Sequence, residues 1–257
     1  DAMRWFLMSS SVLRGGNLVV TEEGIRAGVR EFMLPLWNAW YFFSTYSNAA
    51  GGPDGDGYEA KWRTDSEDVL DRYILALTGD LIRDVASDLE RLDSTTATAR
   101  LRDFAEALTN WYVRRSRRRF WKNDSSSDKQ AAYSTLYTAL STVAKLIAPA
   151  MPFLAEELYQ NLVRSVDETA PESVHLAEWP QVMEEFIDES LNTEMNLVMK
   201  LVSLGHSARQ KANRKVRQPL AEAAFSVGNN TERAALMKNV EVIQDELNVK
   251  QVRLLDA

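Results

Sequence analysis

The chain has 257 residues, 45% of them hydrophobic and 26% charged, a balance typical of folded soluble proteins with a sizeable core. It has no cysteine, which excludes disulfides and thiolate metal sites, and no apolar run near the roughly 20 residues that span a membrane. The net charge is −7, so nucleic-acid binding would have to come from local basic segments rather than from the total.

Helical periodicity dominates the first part of the chain. Residues 2–7 read as a helix, and a segment that opens at Thr21 carries apolar residues at three- and four-residue steps as far as Tyr46. Pro35 lies inside this segment and predicts a kink. Residues 50–57 are rich in Gly, Pro and Asp, which predicts a loop.

Further helices follow this loop. A capping-box pattern at residues 64–67 predicts the start of a second long helix, which ends near Leu92. A third begins near Ser94 and runs into an arginine cluster, and a fourth covers roughly residues 129–148. Pro152 starts a short fifth helix, and residues 165–186 are predicted to be irregular.

The pattern changes toward the end of the chain. A helix over about 189–213 is followed by an apolar segment at 220–227, an amphipathic helix at 231–247 and a second apolar segment at 249–255. We interpret the two apolar segments as strands that pair. The predicted fold class is mainly α: a helical bundle at 1–187, then a helix and a small α/β appendage at 188–257.

Two short segments concentrate the positive charge. Residues 114–119 hold five arginines in six positions, flanked by aromatic residues, and residues 209–218 hold five cations and no acid. Arginine forks fit phosphate, and aromatic faces fit unpaired bases. The first segment therefore points to RNA as a binding partner, and the second adds to a basic face on an otherwise acidic protein.

Helical geometry divides the arginines of the first segment. Steps of 100° place Arg115 and Arg119 on the continuation of the apolar stripe, whereas Arg114, Arg117 and Arg118 point to other sides. In one interpretation, Arg115 and Arg119 meet carboxylates of a neighbouring helix and the others form a solvated face at the negative helix end. In the other, the helix end enters a groove that receives a phosphate backbone. The residues alone leave both open.

Residues 110–121 (NWYVRRSRRRFW) resemble a signature segment of the anticodon-binding domain of bacterial-type isoleucyl-tRNA synthetases, which are class I enzymes. Further stretches are similar to that family in the same order: residues 1–13 (DAMRWFLMSSSVL), 35–43 (PLWNAWYFF), 148–159 (APAMPFLAEELY) and 215–220 (KVRQPL). The stretch at 148–159 is shared with the valyl and leucyl enzymes. The resemblance covers nearly the whole chain.

The resemblance implies a helical bundle that holds the tRNA anticodon stem and loop within a longer isoleucine–tRNA ligase. ATP and Mg²⁺ would bind the catalytic domain, whose HIGH-type and KMSKS-type motifs do not occur in this sequence. Because position 1 is Asp, we expect a piece of a longer chain that forms no aminoacyl-adenylate alone. We expect no cofactor, no metal site at His175 or His206, no membrane contact, and a cytoplasmic monomer whose partners are an isoleucine-accepting tRNA and its own catalytic domain.

If this chain binds tRNA, roles for individual residues follow as hypotheses from the chemistry of RNA recognition. Phosphate contacts set the register on RNA without reading sequence, and we assign them to Arg114, Arg117, Arg118, Lys211, Arg214, Lys215 and Arg217. We assign base reading, by stacking or edge hydrogen bonds, to Phe120, Trp121, Asn213 and Gln218. The predicted surface also includes Asn110, Trp111, Arg115 and Arg119. No catalytic residue is predicted in this chain.

Two alternatives stand beside this prediction. One is the corresponding domain of a valyl- or leucyl-tRNA synthetase, against which the segment at 110–121 argues. The other is a helical scaffold that binds protein, with its arginines paired internally; it predicts no affinity for RNA.

Overall fold

The computed structural model describes residues 1–50, 58–59, 61–63, 65–121, 126–182 and 184–255. Residues 51–57 of the loop predicted at 50–57, and Thr64 of the predicted capping box, lie outside these residues. The chain divides into two compact units, Asp1–Ile187 and Asp188–Ala257. The first consists of packed helices, and the second combines helices with a two-stranded sheet, which confirms the predicted fold class.

The first unit is a helical bundle. Its α-helices are α1 (Ala2–Met8), α2 (Glu22–Gly28), α3 (Leu34–Ala49), α4 (Val69–Glu90), α5 (Ser94–Glu106), α6 (Arg114–Trp121), α7 (Ser127–Ile147) and α8 (Pro152–Tyr159). Wider π-helical turns join α2 to α3 (Val29–Met33), join α5 to α6 (Ala107–Val113) and extend α8 (Gln160–Arg164). Short 3-10 turns lie at Ser11–Arg14, Val174–Leu176 and Glu184–Phe186.

Side-chain caps set the starts of α2 and α4. The Thr21 hydroxyl accepts a hydrogen bond from the Gly24 amide at 3.1 Å, as the sequence predicts. The start of α4 differs from the prediction, because Asp68 is its cap: the Asp68 carboxylate accepts from the amides of Leu70 at 2.9 Å and Asp71 at 3.2 Å. The helix therefore begins after the predicted capping box rather than within it.

A π-helical turn lies immediately before the helix that contains Pro35. Proline has no amide hydrogen, and its ring crowds the preceding turn of a regular α-helix. The turn at Val29–Met33 ends two residues before Pro35, which is the second residue of α3. The irregularity predicted at Pro35 thus takes the form of a wider turn and does not end the helical segment.

The core of the first unit surrounds α7. Every residue from 131 to 144 of this helix is buried, which exceeds the single apolar stripe that its sequence predicts. Small side chains explain the difference, because Ala, Ser and Thr at these positions let neighbouring helices approach on several sides. The inner face of α6 packs against α7. The position of α7 therefore fixes which arginines of α6 face inward.

The second unit contains α9 (Glu189–Lys211), β1 (Leu220–Phe225), α10 (Asn230–Lys238), α11 (Val240–Leu247) and β2 (Val249–Leu254). The two strands pair in parallel, with Leu220 opposite Val249, which confirms the predicted pairing. The single helix predicted at 231–247 is wrong, since Asn239 separates α10 from α11. The side-chain amide of Asn239 donates to the Ala235 carbonyl at 2.8 Å and to the Glu194 carboxylate at 2.7 Å, and these two bonds stabilise the break between the helices.

Candidate nucleic-acid interface

The outer face of α6 presents cations and an aromatic ring. Arg114, Arg117, Arg118 and Trp121 stand at i, i+3, i+4 and i+7, so they form one stripe along the helix. All four are exposed, and Trp121 keeps 51% of its surface accessible. This stripe, which we call the outer arginine face, lies opposite the buried Ser116 and Phe120.

Three contacts shape the outer arginine face. The Arg114 Nε donates to the Asn110 carbonyl at 2.8 Å, which lays the side chain along its own helix. The Arg117 guanidinium lies 6.0 Å from the ring centroid of Phe42, and the ring centroids of Trp121 and Tyr46 are 6.2 Å apart. Aromatic rings of α3 thus support a cation and an exposed indole, a combination that suits stacking of an unpaired base beside a phosphate backbone.

Arg119 points the other way, into a buried ionic cluster. Its Nη1 and Nη2 donate to the two carboxylate oxygens of Asp71 at 2.7 and 2.8 Å, and its Nε donates to Asp128 at 2.9 Å. The Arg119 side chain is 12% exposed and Asp71 is 0% exposed. Asp71 also accepts from the hydroxyls of Tyr112 at 2.7 Å and Ser66 at 2.6 Å. The bidentate geometry and the added hydrogen bonds compensate for burying the two charges.

The pKa values of two members of the ionic cluster, Tyr112 and Arg119, are both raised. Burial raises the pKa of Tyr112 well above its ordinary value, and the adjacent Asp71 carboxylate raises it further. Burial alone would lower the pKa of Arg119, but hydrogen bonding to Asp71 outweighs it and the pKa is raised. Both groups therefore keep their protons, and Arg119 stays charged against Asp71.

Of the sequence-predicted RNA contacts, two aromatic residues are buried and Arg119 is held by carboxylates. Phe120 is buried between Phe42 and Tyr133, with ring centroids 5.1 and 4.9 Å away. Trp111 is also buried. Because both rings are buried and Arg119 is held by carboxylates, we withdraw the assignment of Phe120, Trp111 and Arg119 as RNA contacts. Arg115 is half-buried, with its guanidinium 5.3 Å from the Trp111 ring centroid.

The basic segment of the second unit is arranged differently. Residues 210–219 are all exposed, and they form the end of α9 and the loop that leads to β1. The sequence-predicted contacts Lys211, Asn213, Arg214, Lys215, Arg217 and Gln218 all lie in this segment, which we call the basic loop. Asn213 adopts a left-handed backbone with φ of 54°, a conformation that asparagine tolerates better than most residues and that ends α9.

The structural roles of two residues that support these segments, Asp71 and Arg209, were not predicted from the sequence. Asp71 lies on the buried stripe of α4 with Ile74 and Thr78, and a carboxylate at such a position indicates a buried cationic partner. Arg209 precedes the basic loop and is 5% exposed. It continues the buried stripe of Val198 and Val202 on α9, a pattern that distinguishes it from the exposed cations after it.

Other site classes find no support in the ranges that the structure covers. Across those ranges, no helix is at once long and apolar enough to cross a lipid bilayer. Among the same residues, no group of three or more His, Asp and Glu side chains is placed to hold a metal ion.

Comparison with known proteins gives a consistent result. A family model described as the anticodon-binding domain of tRNA ligase matches residues 71–224. The whole chain is 51% identical to part of an isoleucine–tRNA ligase of Leifsonia xyli subsp. xyli and 44% identical to part of that of Thermus thermophilus. The isoleucine–tRNA ligase of Dehalococcoides mccartyi (strain CBDB1) is 46% identical over 97% of the chain.

The chain spans about a quarter of the length of these curated relatives. It covers 22% of the Leifsonia protein and 24% of the Dehalococcoides and Thermus proteins. The similarity therefore concerns one part of each ligase, and that part includes both basic segments.

Proposed function

The chain belongs to the family of anticodon-binding domains of tRNA ligases, and from this premise we propose that it binds the anticodon stem and loop of an isoleucine-accepting tRNA. The observation that carries the proposal is the outer arginine face, where Arg114, Arg117 and Arg118 share one exposed stripe with Trp121. The relatives named isoleucine–tRNA ligase support the choice of tRNA.

Within each unit, the exposed cations would contact the RNA backbone. Arg117 and Arg118 of the first unit, and Lys211, Arg214, Lys215 and Arg217 of the second, would bind phosphates and set the register. Trp121 would stack on an unpaired base of the loop, since its ring is half-exposed and supported from behind by Tyr46. Asn110, Asn213 and Gln218 are exposed amides that can bond base edges.

In the longer ligase, this binding would help bring the acceptor end of the tRNA to a catalytic domain. That domain would bind ATP and Mg²⁺ and join isoleucine to the tRNA, so the present chain alone forms no aminoacyl-adenylate. A cytoplasmic location and a monomeric state belong to the same proposal.

The alternatives have weaker support. A valyl or leucyl identity is not favoured, because the named relatives at 51%, 46% and 44% identity are isoleucine–tRNA ligases. A scaffold with internally paired arginines accounts for Arg119 but leaves the exposed Arg117, Arg118 and basic loop without a role.

The test is binding of the chain to an isoleucine tRNA transcript and to the same transcript with its anticodon exchanged, across a salt series. We expect weaker binding after the exchange and a steep loss of affinity with salt. Equal affinity for the two transcripts would contradict anticodon reading, and no binding at low salt would support the scaffold alternative.

A further inference from the structure

Arg209 makes five hydrogen bonds, and every acceptor is a backbone carbonyl. Its Nε donates to Leu247 at 2.9 Å, and its Nη1 donates to Lys215 at 3.0 Å and Gln218 at 3.1 Å. Its Nη2 donates to Gln218 at 3.1 Å and Asn248 at 3.0 Å. A guanidinium has five N–H donors in a fixed plane, so this fork is fully used.

The acceptors explain how a buried charge is tolerated without a carboxylate. Leu247 is the last residue of α11 and Asn248 is its C-cap, so their carbonyls lie at the negative end of that helix. Cations are stabilised at such an end, and carbonyls without helical partners need donors. Arg209 satisfies both requirements, while its other hydrogen bonds reach into the basic loop.

The same interactions fix the conformation of the basic loop. Arg209 holds the carbonyls of Lys215 and Gln218, and the Asn248 side-chain amide donates to the Val216 carbonyl at 2.8 Å. The amide of Arg214 donates to the Arg209 carbonyl at 2.8 Å. The loop carbonyls of Lys215, Val216 and Gln218, which would repel a phosphate, are therefore occupied by donors of the protein.

The cationic side chains of the loop are left for a partner. Arg214, Lys215 and Arg217 are exposed, and none of the three makes an ion pair with a carboxylate in the part of the chain that the structure describes. A loop of this length would otherwise sample many conformations, and ordering rotamer-rich side chains on binding costs about 0.5–1.5 kcal/mol each.

We propose that Arg209 is a positioning residue for RNA binding, which holds the basic loop so that Arg214, Lys215 and Arg217 meet the phosphate backbone in a preformed arrangement. This inference rests on the proposed function. Arg209 itself does not touch the RNA, because its donors are already used within the protein.

The test compares tRNA affinity and its salt dependence among variants of the whole chain. Arg209→Lys keeps the positive charge, but an ammonium with three donors cannot bridge these carbonyls. We expect about tenfold weaker tRNA binding with an almost unchanged salt slope, because the phosphate contacts persist and only their ordering cost rises. Replacing Arg214, Lys215 and Arg217 by alanine should instead reduce the slope by about two to three units.

Two further variants keep the test decisive. Asn248→Gly suits the left-handed φ of 49° at this position and removes only the bond to the Val216 carbonyl, so it should fold and weaken binding severalfold even where Arg209→Lys does not fold. Arg233→Lys alters an exposed arginine of the same unit and should leave affinity within about twofold.

The outcomes separate this inference from the proposed function. If the unaltered chain does not bind tRNA at low salt, the proposed function fails. If it binds and the triple alanine variant binds equally well, the basic loop is not an RNA contact and the inference is overturned. The inference is also overturned if the triple variant binds weakly while Arg209→Lys and Asn248→Gly bind like the unaltered chain.

Discussion

The two basic segments bury one arginine each, but by different means. In the first unit, Arg119 is neutralised by carboxylates, chiefly Asp71. In the second unit, Arg209 is held by carbonyls and meets no carboxylate among the described residues. A buried arginine–carboxylate pair stabilises the fold only when both partners are present, because the carboxylate keeps its charge when the arginine is removed. Backbone carbonyls carry no net charge, so they remain neutral when the arginine is removed. The first arrangement ties a helix to the core, and the second sets the shape of a loop.

The largest expected effect is that of Arg119→Met. This change leaves the Asp71 carboxylate buried without its cation, and we expect the first unit to lose about 3–5 kcal/mol of unfolding free energy. Denaturant unfolding followed by tryptophan fluorescence measures this unit alone, since every tryptophan of the chain lies before residue 180. The control Arg118→Met alters the exposed neighbour and should stay within about 0.5 kcal/mol. A loss below about 1 kcal/mol for Arg119→Met would refute the structural role.

The two tryptophans that flank the arginines should separate stability from binding. Trp111→Ala removes a buried ring, so we expect about 3–5 kcal/mol lower stability of the first unit. Trp121→Ala removes an exposed ring, so stability should change little while tRNA binding loses about 1–3 kcal/mol. Unfolding curves and tRNA titrations on both variants check this contrast. It fails if the two substitutions have the same effect on both measurements.

Alkaline pH should weaken the first unit selectively. Burial raises the pKa of Tyr73 from 10.0 to about 12, and Tyr112 is raised by burial and by Asp71. Between pH 10.0 and about 12, Tyr73 loses its proton in the unfolded chain but keeps it in the folded unit. The free energy of unfolding is therefore unaffected below pH 10.0 and falls as the pH rises toward about 12. We expect a loss on the order of 2 kcal/mol from Tyr73.

Denaturant unfolding at a series of pH values above neutrality measures this loss. The second unit provides the internal control, because every tyrosine of the chain lies before residue 160. Amide hydrogen exchange in the second unit should show no loss of stability attributable to tyrosine. Constant stability of the first unit up to pH about 11 would contradict the account of its buried hydroxyls.

The smallest expected effect concerns one cation of the outer arginine face. Arg118→Ala should weaken tRNA binding and reduce the salt slope by about one unit, because the phosphate contact that we propose for this exposed arginine is lost. A salt titration of tRNA binding measures both quantities. Arg102→Ala serves as the control, since Arg102 is exposed on α5, away from the arginine helix in sequence, and pairs with Asp103 at 3.5 Å. An unchanged slope for Arg118→Ala would remove it from the RNA surface.

Local sequence predicted the helices and placed Arg119 on the apolar stripe of its helix, but it left the side chain's direction open and did not identify the partners of Arg119 and Arg209. Period and capping residues locate α5, α7 and α9 to within a few residues, because each buries a continuous apolar stripe. The bond from Arg119 to Asp71 joins residues 48 positions apart, so it depends on how α4 packs beside α6. The π-helical turn at Ala107–Val113 likewise depends on packing and leaves no pattern in the sequence.

For the interface, composition identified the two segments but did not distinguish their buried members. Arg209 and Arg214 look alike in a count of cations, although only Arg209 continues the apolar stripe of α9. The exposure of Trp121 and the burial of Phe120 follow from the direction of α6 against α7, which adjacent positions in a sequence do not reveal.

We propose that each segment separates arginines that hold structure from arginines that bind RNA. Modification with an arginine-selective dicarbonyl reagent, with and without isoleucine tRNA, tests it directly when mass spectrometry identifies each site. We expect Arg117, Arg118, Arg214 and Arg217 to react in the free chain and to be protected by tRNA. Arg119 and Arg209 should react in neither state, because both side chains are largely inaccessible and their guanidinium nitrogens donate hydrogen bonds to acceptors of the protein. Reaction of the two buried arginines, or unchanged reactivity of the exposed ones with tRNA, would contradict the claim.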